Sequence, residues 1–152
     1  MEAFSQVLPN HDRCFVCGAN NPRGLGVNFI SENGLTTGHF TIHEGLESLG
    51  GITHGGILTA LMDASMARWL FDRGIVAITA ILKVRFRMTV CPGQKLSVIA
   101  RRKSERGKRH YMESKLLDEE HREVASSEAV FLSVDTPLRF AGTGEKTIWK
   151  LR

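Results

Sequence analysis

Apolar and polar residues alternate with a period of two over two early stretches of the chain. Leu25, Val27 and Phe29 are separated by Gly26 and Asn28, and beyond Glu32-Asn33-Gly34 the run from Leu35 to His43 alternates again through Phe40 and Ile42. Period two marks half-buried strands, and Asn33-Gly34 suits the positive φ of a tight hairpin turn, so two antiparallel strands are expected. After a loop holding Gly45, Gly50 and Gly51 the period changes. Ile57 to Arg73 contains no proline and is closed by Gly74, which predicts a helix. Its apolar residues, among them Leu58, Leu61, Met62, Met66, Trp69 and Leu70, fall almost all the way round the helical wheel, so the helix is expected to be buried.

Strand patterns then return over Ile75 to Val90, Lys95 to Glu105, His110 to Leu117 and Glu123 to Val134. Turns at Cys91-Pro92-Gly93, Arg106-Gly107-Lys108 and Asp118-Glu119-Glu120-His121 separate them. Five or six antiparallel strands and a single buried helix are compatible only if the sheet curls round the helix, an α+β architecture.

The length of 152 residues fits one domain. Residues 1–22 are rich in turn formers such as Pro9, Asn10, Gly18, Asn20, Asn21 and Pro22 and read as an irregular N-terminal segment. Residues 23–135 read as the folded domain. Residues 136–152 read as a tail whose anchors are Phe140, Ile148, Trp149 and Leu151. The longest uncharged apolar run, Gly74 to Leu82, is too short to span a bilayer, and the first residues lack the basic and apolar regions of a signal peptide. A cytoplasmic location without a membrane partner is therefore expected, and three cysteines argue against a disulfide framework.

Charge sharpens the picture locally. The net charge is only +4, but Lys95, Arg101, Arg102, Lys103, Arg106, Lys108 and Arg109 crowd one hairpin, which suggests an anionic partner unless they form a plain solvated face. Aromatic residues are absent from that stretch apart from Tyr111, so a nucleic-acid partner is not expected.

Asp63 is the one acid between Glu47 and Asp72 and sits in the middle of the apolar helix. An unpaired buried carboxylate is costly, so Asp63 is expected to face a cavity, a partner or a subunit interface, where desolvation favours general-base work; a hydrogen-bonded structural Asp is the plain alternative. His54-Gly55-Gly56 stands where the loop meets the helix, and free N–H groups at a helix start stabilise developing negative charge. Gly56 and Asp63, seven residues apart, are roughly 10 Å apart along one helix. They cannot grip one carbonyl together, whereas two antiparallel copies of the helix could, which predicts a twofold dimer with composite sites.

Cys14-x-x-Cys17 with His11 three residues earlier has metal-ligand spacing. A structural zinc site normally takes four ligands from two such pairs; no second pair exists, and no metal is expected. The chain has no G-x-S-x-G elbow.

The run HGGILTALMDASM, preceded by CFVCGANNPRGL and followed by ITAILKVRFRMTVCPGQ, resembles the hotdog-fold acyl-CoA thioesterases, in their phenylacetate-degradation-type branch. The likeness spans residues 14–134. It implies a hotdog fold, with a curled antiparallel sheet wrapped around one long central helix, assembled as a homodimer or homotetramer. It also implies hydrolysis of an acyl-CoA substrate without metal or other cofactor. By that resemblance Asp63 acts as general base or nucleophile, the Gly55 amide polarises the thioester carbonyl, and His54 orients the loop or bonds near that carbonyl. Thr79 stands where related enzymes place a hydroxyl that positions the water, and Gly56 belongs to the substrate site. Where some relatives have an Asn that contacts the carbonyl, this chain has Ser48. Arg101, Arg102, Arg106, Lys108 and Arg109 are then candidates to hold the CoA phosphates. Met62, Met66, Trp69, Phe86 and Met88 are candidate walls of an acyl pocket, with ordinary core as the plain alternative for each. A non-catalytic CoA- or acyl-ligand-binding hotdog protein is the alternative; it would keep the glycine loop and the basic hairpin and gain nothing from Asp63.

Overall fold

The computed structural model describes residues 11–134. The expected tail, with Phe140, Ile148, Trp149 and Leu151, lies outside the described residues, as do residues 1–10.

One antiparallel sheet and one long helix make up the fold. The strands are β1 (Phe29–Glu32), β2 (Leu35–Thr41), β3 (Ala77–Phe86), β4 (Lys95–Arg106), β5 (Arg109–Leu117) and β6 (Glu123–Ser133), and the helix α1 (Gly55–Phe71) lies between β2 and β3 in the chain. Strand order across the sheet is β1-β2-β4-β5-β6-β3, which leaves β3 as an edge. The β1–β2 turn has Asn33 at φ 51° and Gly34 at φ 78°, the two left-handed residues of a type I′ hairpin. Gly74, at φ 75°, closes the helix. The Ile75 N–H bonds the Leu70 carbonyl at 3.0 Å and the Gly74 N–H bonds the Phe71 carbonyl at 2.9 Å, the paired bonds of a Schellman end.

The first strand begins later than the alternation predicts. Residues 25–28 carry the right pattern, and Val27 is buried, but their hydrogen bonds run to the N-terminal segment, Leu25 N–H to the Phe15 carbonyl and Val27 N–H to the Val16 carbonyl. Alternation reports which side is buried; it does not report the partner. Residues 11–24 are a chain of turns, as expected, yet Val16 belongs to the core.

Leu58, Leu61, Met62, Met66, Trp69 and Leu70 bury the helix against inward residues of the curled sheet, including Phe40, Leu96, Val98, Met112, Leu116 and Phe131. A bulge between Thr79 and Ile81 switches the facing of β3. Without it, alternation from Thr79 would carry Lys83 inward. With it, Leu82 and Val84 pack against the core while Lys83 and Arg85 are exposed. Among the described residues no helix is long and apolar enough to cross a membrane.

Leu61, 1% exposed, has no room for a smaller replacement to be refilled. Leu61→Ala should lower stability by about 2–5 kcal/mol, read as a reduced urea midpoint at unchanged slope.

Candidate active site

The loop before the helix is held from several sides. Gly50 and Gly51 take left-handed conformations in a short 3-10 turn, Leu49–Gly51. The Ser48 N–H bonds the Ile52 carbonyl at 2.6 Å, the Thr53 N–H bonds the Val90 carbonyl at 2.6 Å, and the His54 N–H bonds the Leu46 carbonyl at 2.8 Å. The last two bonds anchor the helix start to the segment following β3 and to the segment following β2. Ser48 is exposed, and its side chain does not cap the turn.

His54 is the N-cap of α1. Its Nδ1 accepts the Gly56 N–H at 2.9 Å, so in this arrangement Nδ1 is unprotonated. The Gly56 amide, expected to serve substrate, is thus already committed to His54. Gly55 carries the first N–H of the helix, which no intrahelical carbonyl can accept, so it is the donor left for an incoming oxyanion. Both glycines are fixed by close approach. A Cβ at Gly56 would lie 2.9 Å from the His54 Nδ1, and one at Gly55 would lie 3.2 Å from the Phe86 Cζ. His54 thereby caps the helix start through Nδ1.

Asp63 lies on the half-exposed side of α1, and the Thr79 hydroxyl donates to its Oδ1 at 2.7 Å. Thr79, sixteen residues after Asp63, thus bonds the acid directly, and the bulge after Thr79 permits this while the rest of β3 packs. Burial pushes the Asp63 carboxyl above its ordinary value; the Thr79 bond pulls the other way, and the nearby Cys14 adds to the upward shift. Gly55, eight residues away on the same helix, is about 12 Å from it along the axis. One chain does not bring acid and amide together.

Three of the suggested pocket walls are core. Met62 and Met66 are fully buried and Trp69 is 6% exposed, whereas Phe86 and Met88 are open to solvent, Phe86 directly beside Gly55. In the basic hairpin, Arg101 pairs with Glu113, and Arg102 pairs with Glu105 while lying 5.1 Å above the Trp69 ring. Arg106 and Arg109 face each other across the end of the hairpin and are exposed, as is Lys108. Like charges directly opposite are unfavourable until an anion joins them. Arg109 lies in register with Leu132, and Leu132 with Ile78, so the cationic tip is at the Thr79 end of the sheet, far from Gly55 of the same chain.

The chain's N-terminal segment adds a group that the sequence reading set aside. His11, Cys14 and Cys17 come together over α1, with Cys17 Sγ 3.5 Å from His11 Nδ1. Hydrogen bonds from Cys17 and His11 hold the Cys14 thiol well below its ordinary range and leave Cys17 as the proton-bearing member of the pair. The H-x-x-C-x-x-C spacing was the available signal. Counting ligand pairs along the chain discounted it.

Residues 50–125 match the family described as the Thioesterase superfamily. Among solved structures, the Escherichia coli PaaI protein from the phenylacetic acid degradation operon superposes with a TM-score of 0.69 at 18% identity, covering 74% of this chain and 83% of that one. The smu.793 protein of Streptococcus mutans, bound to acetyl CoA, gives 0.67 at 16% identity, covering 71% of this chain and 88% of that one. A hypothetical thioesterase of Streptococcus pneumoniae, with coenzyme A, gives 0.67 at 14% identity, covering 70% and 87%. No curated protein matches the sequence significantly.

If His54 serves chiefly as the cap, His54→Ala should lower stability by about 1 kcal/mol, and His54→Asn, which also accepts at the helix start, should restore most of it in equilibrium unfolding.

Proposed function

The chain belongs to the thioesterase superfamily, and from that premise we propose that it is an acyl-CoA thioesterase whose active site is completed by a second copy of the chain. Its fold is the hotdog fold, a six-stranded antiparallel sheet curled around one helix. The observation that carries the reading is the 2.7 Å bond between Thr79 and a half-buried Asp63.

Asp63 supplies the base, or the nucleophile, and Thr79 holds its Oδ1 while the other oxygen meets water or the thioester carbon. Attack on the carbonyl carbon pushes charge onto its oxygen, and an N–H donor must meet that charge. The donor is the Gly55 amide of the partner subunit.

The assembly follows from β3. It is a ten-residue edge strand with Ile81 62% and Phe86 51% exposed, an edge of the kind that pairs with another copy. Antiparallel self-pairing centred near Leu82 and Lys83 sets Thr79 opposite Phe86, and with Phe86 comes Gly55. The same pairing places the Arg106 and Arg109 tip beside the composite site, where it can take the CoA phosphates. The ion pairs of Arg101 and Arg102 are exposed and weak enough to exchange for phosphate. The phenylacetate-degradation-type branch is supported by the PaaI likeness together with the His54-Gly55-Gly56 and Asp63 spacing.

Asp63→Asn keeps an acceptor for Thr79 and removes the base. It should lower kcat toward acyl-CoA thioesters by about 10² to 10⁴, with Thr79→Ala affecting the same parameter less. CoA binding without turnover across a panel of acyl-CoA thioesters would assign the protein to ligand binding instead.

The pH dependence has a definite sign. Activity needs ionised Asp63, so the acid limb of kcat/KM should fall at a pH above the ordinary Asp value of about 3.9. A carboxyl raised on folding is protonated in the folded chain over a window where the unfolded chain has already ionised, so its contribution to stability is lost as pH rises through that window. At neutral pH Asp63→Asn should therefore raise Tm while lowering hydrolysis, measured by calorimetry and by thiol release.

A further inference from the structure

We propose that His11, Cys14 and Cys17 form a divalent zinc site, with water in the fourth position, that fastens the N-terminal segment onto the outer face of α1. The three donor atoms all lie within 4.8 Å of one another, and all three residues are half-buried. Tetrahedral zinc with bonds of about 2.3 Å to sulfur and about 2.0–2.1 Å to nitrogen requires a nitrogen–sulfur edge of roughly 3.5–3.6 Å. His11 Nδ1 and Cys17 Sγ are 3.5 Å apart.

Backbone bonds hold this arrangement, with the Asn20 and Asn21 side chains adding bonds to the Asp12 carboxylate and the Arg13 carbonyl. Cys14 N–H bonds the His11 carbonyl at 3.0 Å, Gly18 N–H bonds the Cys14 carbonyl at 2.9 Å, and Asn20 N–H bonds the Asp12 carbonyl at 2.9 Å. These bonds wind residues 11–20 into a knuckle so tight that a Cβ at Gly18 would lie 2.4 Å from Cys14 N and 2.5 Å from the Asp12 carbonyl oxygen. The residue after the second cysteine is thus confined to glycine by close approach, and both sulfurs are turned to one side. The His11 ring is steadied against Phe71, centroids 4.6 Å apart.

Thiolate and imidazole donors together select zinc over magnesium or calcium. Among the described residues no fourth His, Cys, Asp or Glu joins the cluster, so the partial exposure of the three ligands provides for a water. Four protein ligands are the rule for closed structural sites, whereas three and a water make an open one. The knuckle rests on the helix. Cys14, Ala60 and Ala64 all pack against one core cluster, the Arg68 charge acts on Cys17, and His11 touches Phe71. These four helix positions form one stripe, and Asp63 lies about a quarter turn round from it, at the seam between the knuckle and β3.

The test uses the full chain, purified under reducing conditions without chelator. Elemental analysis should find about one zinc per chain. The apo form titrated with Co²⁺ should develop the sulfur-to-cobalt and visible bands of a tetrahedral site, which Zn²⁺ then erases. Cys14→Ser and Cys17→Ser should lose these bands and His11→Ala should bind Co²⁺ at least about tenfold more weakly, while Cys91→Ser, at an exposed cysteine, should behave as the wild type. Chelation should lower Tm of the wild type and leave that of the Cys14→Ser chain unchanged. If Cys14→Ser does not fold, the wild-type cobalt spectrum and His11→Ala still decide the matter. A natively folded, reduced wild type that holds no zinc and gives no tetrahedral cobalt spectrum overturns the proposal, as does a Cys14–Cys17 disulfide persisting in the reduced preparation with zinc present.

Discussion

A seventeen-residue helix in which Gly56 alone is exposed must be covered on nearly its whole circumference. That requirement shapes the molecule. A flat sheet covers one stripe of a helix, so the strands curl, and the curl sends Phe40, Leu96, Val98, Leu116 and Phe131 toward α1 from different directions. The side the sheet does not reach is taken by residues 11–27, with Val16 and Val27 completing the core and the His11–Cys14–Cys17 knuckle meeting the helix at Phe71. Asp63 lies between these two coverings, bonded to Thr79 of β3 and close enough to Cys14 to feel its charge.

Asp63 is tolerable there because it is only half-buried. The Thr79 hydroxyl satisfies one carboxylate oxygen, and the remaining desolvation raises the acid's pKa in the direction a base working near neutrality needs. The bulge in β3 reconciles two demands on one strand. Thr79 has to face the helix for the sake of the acid, and Leu82 and Val84 have to face it for the sake of the core, an odd and an even set that regular alternation cannot serve together. β3 also carries the exposed Ile81 and Phe86, so the strand that orders the acid is the one that offers an edge to a second copy.

Much of this was legible along the chain. The helix, its glycine stop and the last three strands fall within a few residues of their expected places, because each is written in local periodicity and turn chemistry. The Asn33-Gly34 hairpin was equally plain. Asp63 announced itself as a lone acid on an apolar helix, whereas Thr79 was marked only by the family resemblance. Less was visible for the amides. Gly55 and Gly56 look equivalent in sequence, and only the His54 ring, which takes the Gly56 N–H, tells them apart. The pocket walls divided in the same way: Met62, Met66 and Trp69 went to the core, and Phe86 and Met88 did not.

The sequence by itself determined which segments become helix and strand, that the helix must be enclosed, and that an acid would sit inside the enclosure. These follow from interactions spanning a few residues, or from composition along one face. Tertiary structure decided the rest. It gave residues 25–28 to the N-terminal segment in place of the sheet, shifted the facing of β3 at a bulge, committed one glycine amide and left the other, and gathered His11, Cys14 and Cys17 into one cluster over the helix. Each of these depends on which surfaces are left uncovered once the elements pack. That is a property of the whole arrangement, carried by no single stretch of the chain.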